Sequence, residues 1–327
     1  MSTVQSYKSW AEKEAYYADN RIINKPDDLD VIIHKLTEYE QQTKIRYVFR
    51  GVSEAKYKLY TSAQRVWHTR NLEKNGISFL SFINGILQAA KKFNHGLLCD
   101  YFQRLGVTIN DWLILSFLQH YGAPSPLLDF SKKVEAALFF GINTPSIPIE
   151  NDLNHYFSIY YYKTVDITHY ISKSIYKLIK QDDEIKNMDF ETTAQYETLQ
   201  SQIWKKYAFL NLMEHHTTLI IPTYPNNRII KNKENKTISE YVIANLNSTA
   251  QNGEFVCNGT SDKPLEEIFK SGTKPYIHCI NIHKSLREYI ICKYLEGDII
   301  RAQHKYYPSE KDIAEQSYIE YMKTGCK

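Results

Sequence analysis

Two stretches of this chain constrain its fold more than any other. One is Tyr47-Val48-Phe49-Arg50-Gly51; the other is the run QHYGAPSPLLDFSKKVEAALFFG over residues 119–141. Each sets polar groups among residues that would otherwise make a plain core. Arg50 closes an apolar, strand-like run, and Gly51 allows a sharp turn or a close approach to a ligand. His120, Tyr121 and Asp129 flank a Pro-rich turn between two helical patterns. Polar groups gathered at element ends beside glycines are where binding sites are built.

The surrounding pattern mixes helix and strand. Residues 1–44 read as helical, with a break at Asn24-Lys25-Pro26-Asp27-Asp28. The helix resumes after Asp28 with Leu29, Ile32, Ile33 and Leu36 at helical spacing. Residues 47–49 read as a strand. Phe79, Phe82, Ile83, Ile86 and Leu87 form a helical stripe. Asn110 or Asp111 caps WLILSFLQHY, Gly122 suits the left-handed end of that helix, and Pro124 and Pro126 stop it. Leu127-Leu128 reads as a very short strand, and Ser131 as the cap of KKVEAALFFGI. Further strands are expected over 156–162, 217–222, 254–257 and 276–282. Residues 172–180 and 196–213 read as helical or irregular, and helices are expected over 238–246, 285–295 and 310–321. The fold class is therefore α+β, a small mixed or antiparallel β core surrounded by helices. One domain is expected over 45–300, with a helical segment over 1–44, a terminal helix within 301–327 and an insertion within 183–240.

Composition narrows the function classes. The net charge of +3 does not by itself argue for nucleic acid. The 26 Tyr, against 14 Phe and 4 Trp, have two readings. One is a coding bias; the other is a surface whose rings stack on bases or on a nucleotide. Cys99, Cys257, Cys279, Cys292 and Cys326 have no CxxC spacing, which suggests free thiols in a reducing compartment. No apolar leader core follows Met1, and no apolar run approaches the roughly 20 residues of a membrane helix. The expectation is a cytoplasmic protein with no membrane partner. Glu214-His215-His216 lacks metalloprotease spacing, no Cys/His group suggests zinc, and there is no GxGxxG or Walker A motif. No metal is expected.

The Phe49-Arg50-Gly51 motif and the 119–141 run resemble the FRG domain family. Tyr57-Lys58-Leu59, Ser62 and Arg65 are similar to that family's continuation, and Gln251-Asn252-Gly253-Glu254-Phe255 to its downstream Q-x-G-x-F element. The resemblance runs over roughly 45–300. The family commonly has Thr-Arg where this chain has Ser125-Pro126, Trp-Thr where it has Phe130-Ser131, and Arg where it has Asn247.

The order of elements also resembles, more distantly, NAD-dependent ADP-ribosyltransferases with an Arg-Ser-Glu site. That resemblance implies an ADP-ribosyltransferase-like fold with NAD as substrate. Arg50 and Gly51 match the first motif, Ser131 with Ala136, Ala137 and Phe140 falls at the second, and Gln251 or Glu254 at the third. It implies catalytic roles for Arg50, Asp129, Gln251 and Glu254, and NAD-binding roles for Phe49, Arg50, Gly51, His120, Tyr121 and Ser131. The E-x-E pair common in that fold is absent, and Gln251-x-x-Glu254 stands in its place. The chemistry suits these residue types. Arg presents a fork of donors to a pyrophosphate, and a carboxylate stabilises the oxocarbenium character that builds on the ribose as its glycosidic bond breaks.

Three functions compete at this point. The first is an intracellular ADP-ribosyltransferase of the toxin or defence type. Its acceptor would be a macromolecule, RNA, DNA or protein, and the role would imply a neutralising antitoxin partner. The second is a non-catalytic FRG module that holds a nucleotide or peptide as a sensor. The third is a hydrolase using His120 and Asp129. Each also has a plainer alternative: Arg50 simply pairs with Asp129, His120 ends a helix, and Glu254 is a solvated strand residue.

Overall fold

The structure, a computed structural model, describes residues 6–104, 109–143, 152–164, 166, 219–222, 229–231, 237–239, 246–271 and 274–324. Its centre is a seven-stranded mixed sheet. The strands are β1 (Asn20–Ile23), β2 (Tyr47–Val52), β3 (Leu127–Ser131), β4 (Tyr156–Lys163), β5 (Leu219–Pro222), β6 (Gly253–Cys257) and β7 (His278–His283). They lie side by side in the order β1-β7-β4-β2-β3-β6-β5. Only β1 and β7 pair in parallel; every other neighbouring pair is antiparallel.

Strand alternation feeds two cores, one on each face. Val48, Tyr160, Tyr162 and Cys279 point to the first. It is covered by α3 (Ser62–Thr69), α4 (Phe79–Lys92) and α6 (Asp111–His120), through residues such as Trp67, Ile83 and Leu115. Tyr47, Phe49, Ile159, Tyr161 and Ile280 point to the second. There Leu29 and Ile32 of α2 (Pro26–Thr43) pack with α7 (Val134–Ile142), α10 (Arg287–Tyr294) and α11 (Ile299–Tyr306). The other α-helices among the described residues are α1 (Trp10–Glu14), α5 (Leu97–Arg104), α8 (Leu246–Gln251), α9 (Leu265–Ile268) and α12 (Glu310–Thr324). No helix among the described residues is long and apolar enough to cross a membrane. Cys99, Cys257, Cys279 and Cys292 are free thiols; Cys326 lies outside the described residues.

The first 44 residues are not purely helical. Asn20–Ile23 forms the edge strand β1, because its backbone completes the ladder of β7 from Asn20↔Cys279 to Ile23↔Ile282. The segment is also bolted inward through Lys13, which is fully buried. Its ammonium donates to Ala55 O at 2.7 Å, Ser158 Oγ at 2.8 Å and Asn281 Oδ1 at 2.6 Å. Three acceptors match the three protons of a lysine, which offsets the cost of burying it. Burial nonetheless lowers its pKa.

Gly51 proves to be a packing residue. The strand runs on through it to Val52, and a Cβ there would stand 1.8 Å from Ala137 O of α7. The close approach expected of Gly51 is that of a helix backbone. Gly141, one turn further along α7, meets the Phe157 ring in the same way, with 2.4 Å to a built Cβ. The two glycines let α7 lie flat on β2 and β4.

Other boundaries shift. Residues 237–239 form a strand paired with 229–231, which overlaps the start of the helix expected over 238–246; a helix occupies Leu246–Gln251, and residues 240–245 lie outside the described residues. Ser131 belongs to β3 and only helps to start α7, its Oγ accepting from Lys133 N at 2.9 Å. Residues 172–180 and 196–213, read as helical or irregular, and Glu214-His215-His216 lie outside the described residues. So does most of the 183–240 interval.

Candidate functional site

The sheet splits at one place. β2 pairs with β4 at six positions and β3 with β6 at five, but β2 and β3 pair only at Phe49↔Ser131. Beyond that point the two halves part, and a cleft of about 340 Å³ opens between them. Phe49, Arg50, Gly51, Val52 and Ser53 form one wall, and Asp129, Phe130 and Ser131 another. Ala137 and Phe140 of α7, Tyr57, Arg65, Gln119, His120, Asn247, Gln251, Phe255 and Tyr307 complete it.

Arg50 bridges the split. Its Nη1 donates to Asp129 O at 2.7 Å and lies 3.8 Å from Asp129 Oδ2. That carboxylate oxygen accepts from Gln119 Nε2 at 3.0 Å. Arg50 Nε is buried without a hydrogen-bond partner. Burial lowers the guanidinium pKa, and Asp129 opposes that shift; an arginine this basic stays charged regardless. The plain pairing of Arg50 with Asp129 is thus present but loose.

His120 ends α6, where Gly122 turns the chain at φ +82°. Asn247 Nδ2 reaches its imidazole, 2.6 Å from Nε2, and the Tyr307 ring lies 5.4 Å away. Tyr307 also donates to His120 O at 3.1 Å. Ser131 and Gln251 occupy the floor as a linked pair, Ser131 Oγ donating to Gln251 O at 2.6 Å. Gln251 Nε2 donates to Tyr306 O at 2.8 Å. Both side chains hold the corner together while lining the cleft.

Two expected site residues lie elsewhere. Tyr121 is 63% exposed and packs at a tilt against Phe117, 4.6 Å between centroids, outside the cleft lining. Glu254 is opposite Phe130 in the ladder and shares its face. It is buried outside the cleft lining, where Tyr162 donates to its Oε1 at 3.1 Å and Lys132 Nζ lies 4.0 Å from Oε2. Burial pushes its pKa up, against Lys132 and Tyr162. The carboxylate that faces the cleft is Asp129.

Arg65, Tyr57, Gln119 and Tyr307 are among the lining residues not expected in the site. Arg65 rides on α3, which is pinned at its start. Thr61 and Gln64 form a reciprocal capping box, and buried Gln64 also donates to Thr260 O and Lys263 O at 2.8 and 2.9 Å. Ser62 exchanges hydrogen bonds with the Ser125 backbone, the amide donating to Ser62 Oγ at 3.0 Å. Arg65 Nε is buried and unpaired like that of Arg50. Tyr57 and Arg65 stand in the stretch that resembles the family's continuation, and that was their only signal. Tyr307 is brought in by the terminal α11–α12 corner, which nothing local announces.

Residues 45–148 match the family model of the FRG domain. The match covers β2 through α7 and so supplies Arg50, Arg65, Gln119, His120 and Asp129. It stops short of 300, and the wall carrying Asn247, Gln251, Phe255 and Tyr307 comes from the chain beyond it. No curated protein and no solved structure matches the chain.

Proposed function

We propose that the cleft binds NAD through its phosphates and that the protein is an ADP-ribosyltransferase-like enzyme modifying a macromolecule. One observation carries the reading: Arg50, at the point where the sheet splits, lines a cleft walled by aromatic rings and keeps a buried, unsatisfied Nε. A buried donor without a partner is costly, and a phosphate oxygen would satisfy it. Phe140, Phe255, Tyr57 and Tyr307 offer faces for the nicotinamide and adenine rings.

The chemistry would run as a substitution at the ribose C1′. The bond from C1′ to the nicotinamide nitrogen breaks, and its electron pair leaves with nicotinamide. An acceptor oxygen or nitrogen bonds to C1′, and its proton passes to a carboxylate and on to water. Asp129 would serve as that carboxylate; its lining of the cleft supports this, whereas Glu254 is outside the lining and engaged with Tyr162. An ADP-ribosyltransferase-like fold, a toxin or defence role and a neutralising partner belong to this same reading.

The burial of Glu254 favours a second reading, a nucleotide-binding module that does not turn its ligand over. Incubating the purified protein with labelled NAD and a lysate containing RNA and protein tests both. Label transfer that is lost in Asp129→Asn and Arg50→Ala supports the enzyme, and nuclease or protease treatment then identifies the acceptor. NAD binding without transfer supports the module, and the absence of both refutes both.

A further inference from the structure

We infer that Arg65 is a second phosphate anchor and makes the cleft selective for diphosphate-bearing ligands over monophosphates. The inference rests on the phosphate-binding reading of the cleft and adds a residue and a ligand class to it. Arg50 and Arg65 line the same cleft, each with its Nε buried and unpaired. Arg50 has Asp129 within ion-pair distance; among the described residues no carboxylate stands that close to Arg65. The two guanidinium groups thus have a single carboxylate at ion-pair distance, beside Arg50 alone, and Gln119 already holds that carboxylate. Like charges brought together in a partly desolvated site repel, and Arg50 depresses the Arg65 pKa in addition to burial. A ligand carrying two adjacent negative groups relieves this, each phosphate meeting one fork.

A purely structural Arg65 would use its guanidinium to tie elements together. Here α3 is tied down by Thr61, Ser62 and Gln64 instead. Arg65 is left to face the cleft.

The test is calorimetric titration of the full chain and its Arg65→Gln and Arg65→Lys variants with inorganic pyrophosphate, orthophosphate and NAD, with thermal melting of each variant. The wild type should bind pyrophosphate at least about tenfold more tightly than orthophosphate. Arg65→Gln should weaken pyrophosphate and NAD about 30-fold while moving orthophosphate less than about threefold. Arg65→Lys, which keeps the charge and the helix but loses the fork, should fall between and remains informative if Arg65→Gln fails to fold. Equal loss for all three ligands, or unchanged pyrophosphate and NAD affinity, would overturn the role of Arg65 while leaving NAD binding standing. No binding of any of them to the wild type would overturn the phosphate site itself.

Discussion

Arg50 grips the backbone of Asp129 in preference to its carboxylate. Its Nη1 lies 2.7 Å from the carbonyl and 3.8 Å from Oδ2. The carbonyl contact fixes the guanidinium across the split in the sheet. The looser carboxylate contact, with Gln119 holding Oδ2, leaves charge on Arg50 to offer a ligand. A tight bidentate pair would have closed the cleft.

Asp129→Asn should therefore separate binding from turnover. Removing the competing carboxylate should tighten NAD binding about three- to tenfold, roughly 1 kcal/mol. Label transfer should fall at the same time. Titration and a transfer assay on one preparation read both; weaker binding would mean that Asp129 orders Arg50 instead of competing for it.

Gly51→Ala tests the packing role of the motif's glycine. A Cβ cannot be accommodated 1.8 Å from a helix carbonyl unless α7 moves off β2. The expected cost is at least about 2–3 kcal/mol, seen as a lower urea midpoint or insoluble expression. Unchanged stability would show that α7 is not seated on β2 as described.

Lys13→Met should destabilise the chain by about 2–3 kcal/mol, because three buried acceptors lose their donor. Urea unfolding measures it. A neutral outcome would mean that the N-terminal segment is not locked to the sheet through Lys13.

The buried acids set a pH dependence. Burial raises the pKa of Glu254, and that of Glu266, which accepts from Tyr7 and from Leu59 N. A raised folded-state pKa means that the native protein holds a proton that the unfolded chain releases. Stability is then unaffected below the ordinary Glu pKa and declines as pH rises from there through the raised values. Glu254→Gln should flatten part of that decline while keeping the Tyr162 contact. Melting temperature against pH checks it; an unchanged slope would place Glu254 in solvent.

How far the residues announced this site follows from what each one does. His120 and Ser131 end their elements and Arg50 and Asp129 lie within short strands, all with periodicity that shows locally, so the cleft's near walls were legible. Glu254 sits in a five-residue strand whose every member is buried, and strand parity there turns on the partner Phe130. The chain alone could not say which face it takes. Gly51 signals a close approach in either case, and only the fold shows that α7, not a ligand, makes it. The edge strand 20–23 owes its form to β7, which arrives more than 250 residues later. Tyr307 reaches the cleft through packing that is equally remote.

The most direct test of the central claim is calorimetric titration of NAD into the wild-type chain and into Arg50→Ala, with thermal melting of both. The wild type should bind NAD saturably, and Arg50→Ala should stay folded and bind at least about 30-fold more weakly. Equal affinity in the two proteins, or a variant whose only defect is a lower melting temperature, would show that Arg50 ties β2 to β3 and holds no ligand.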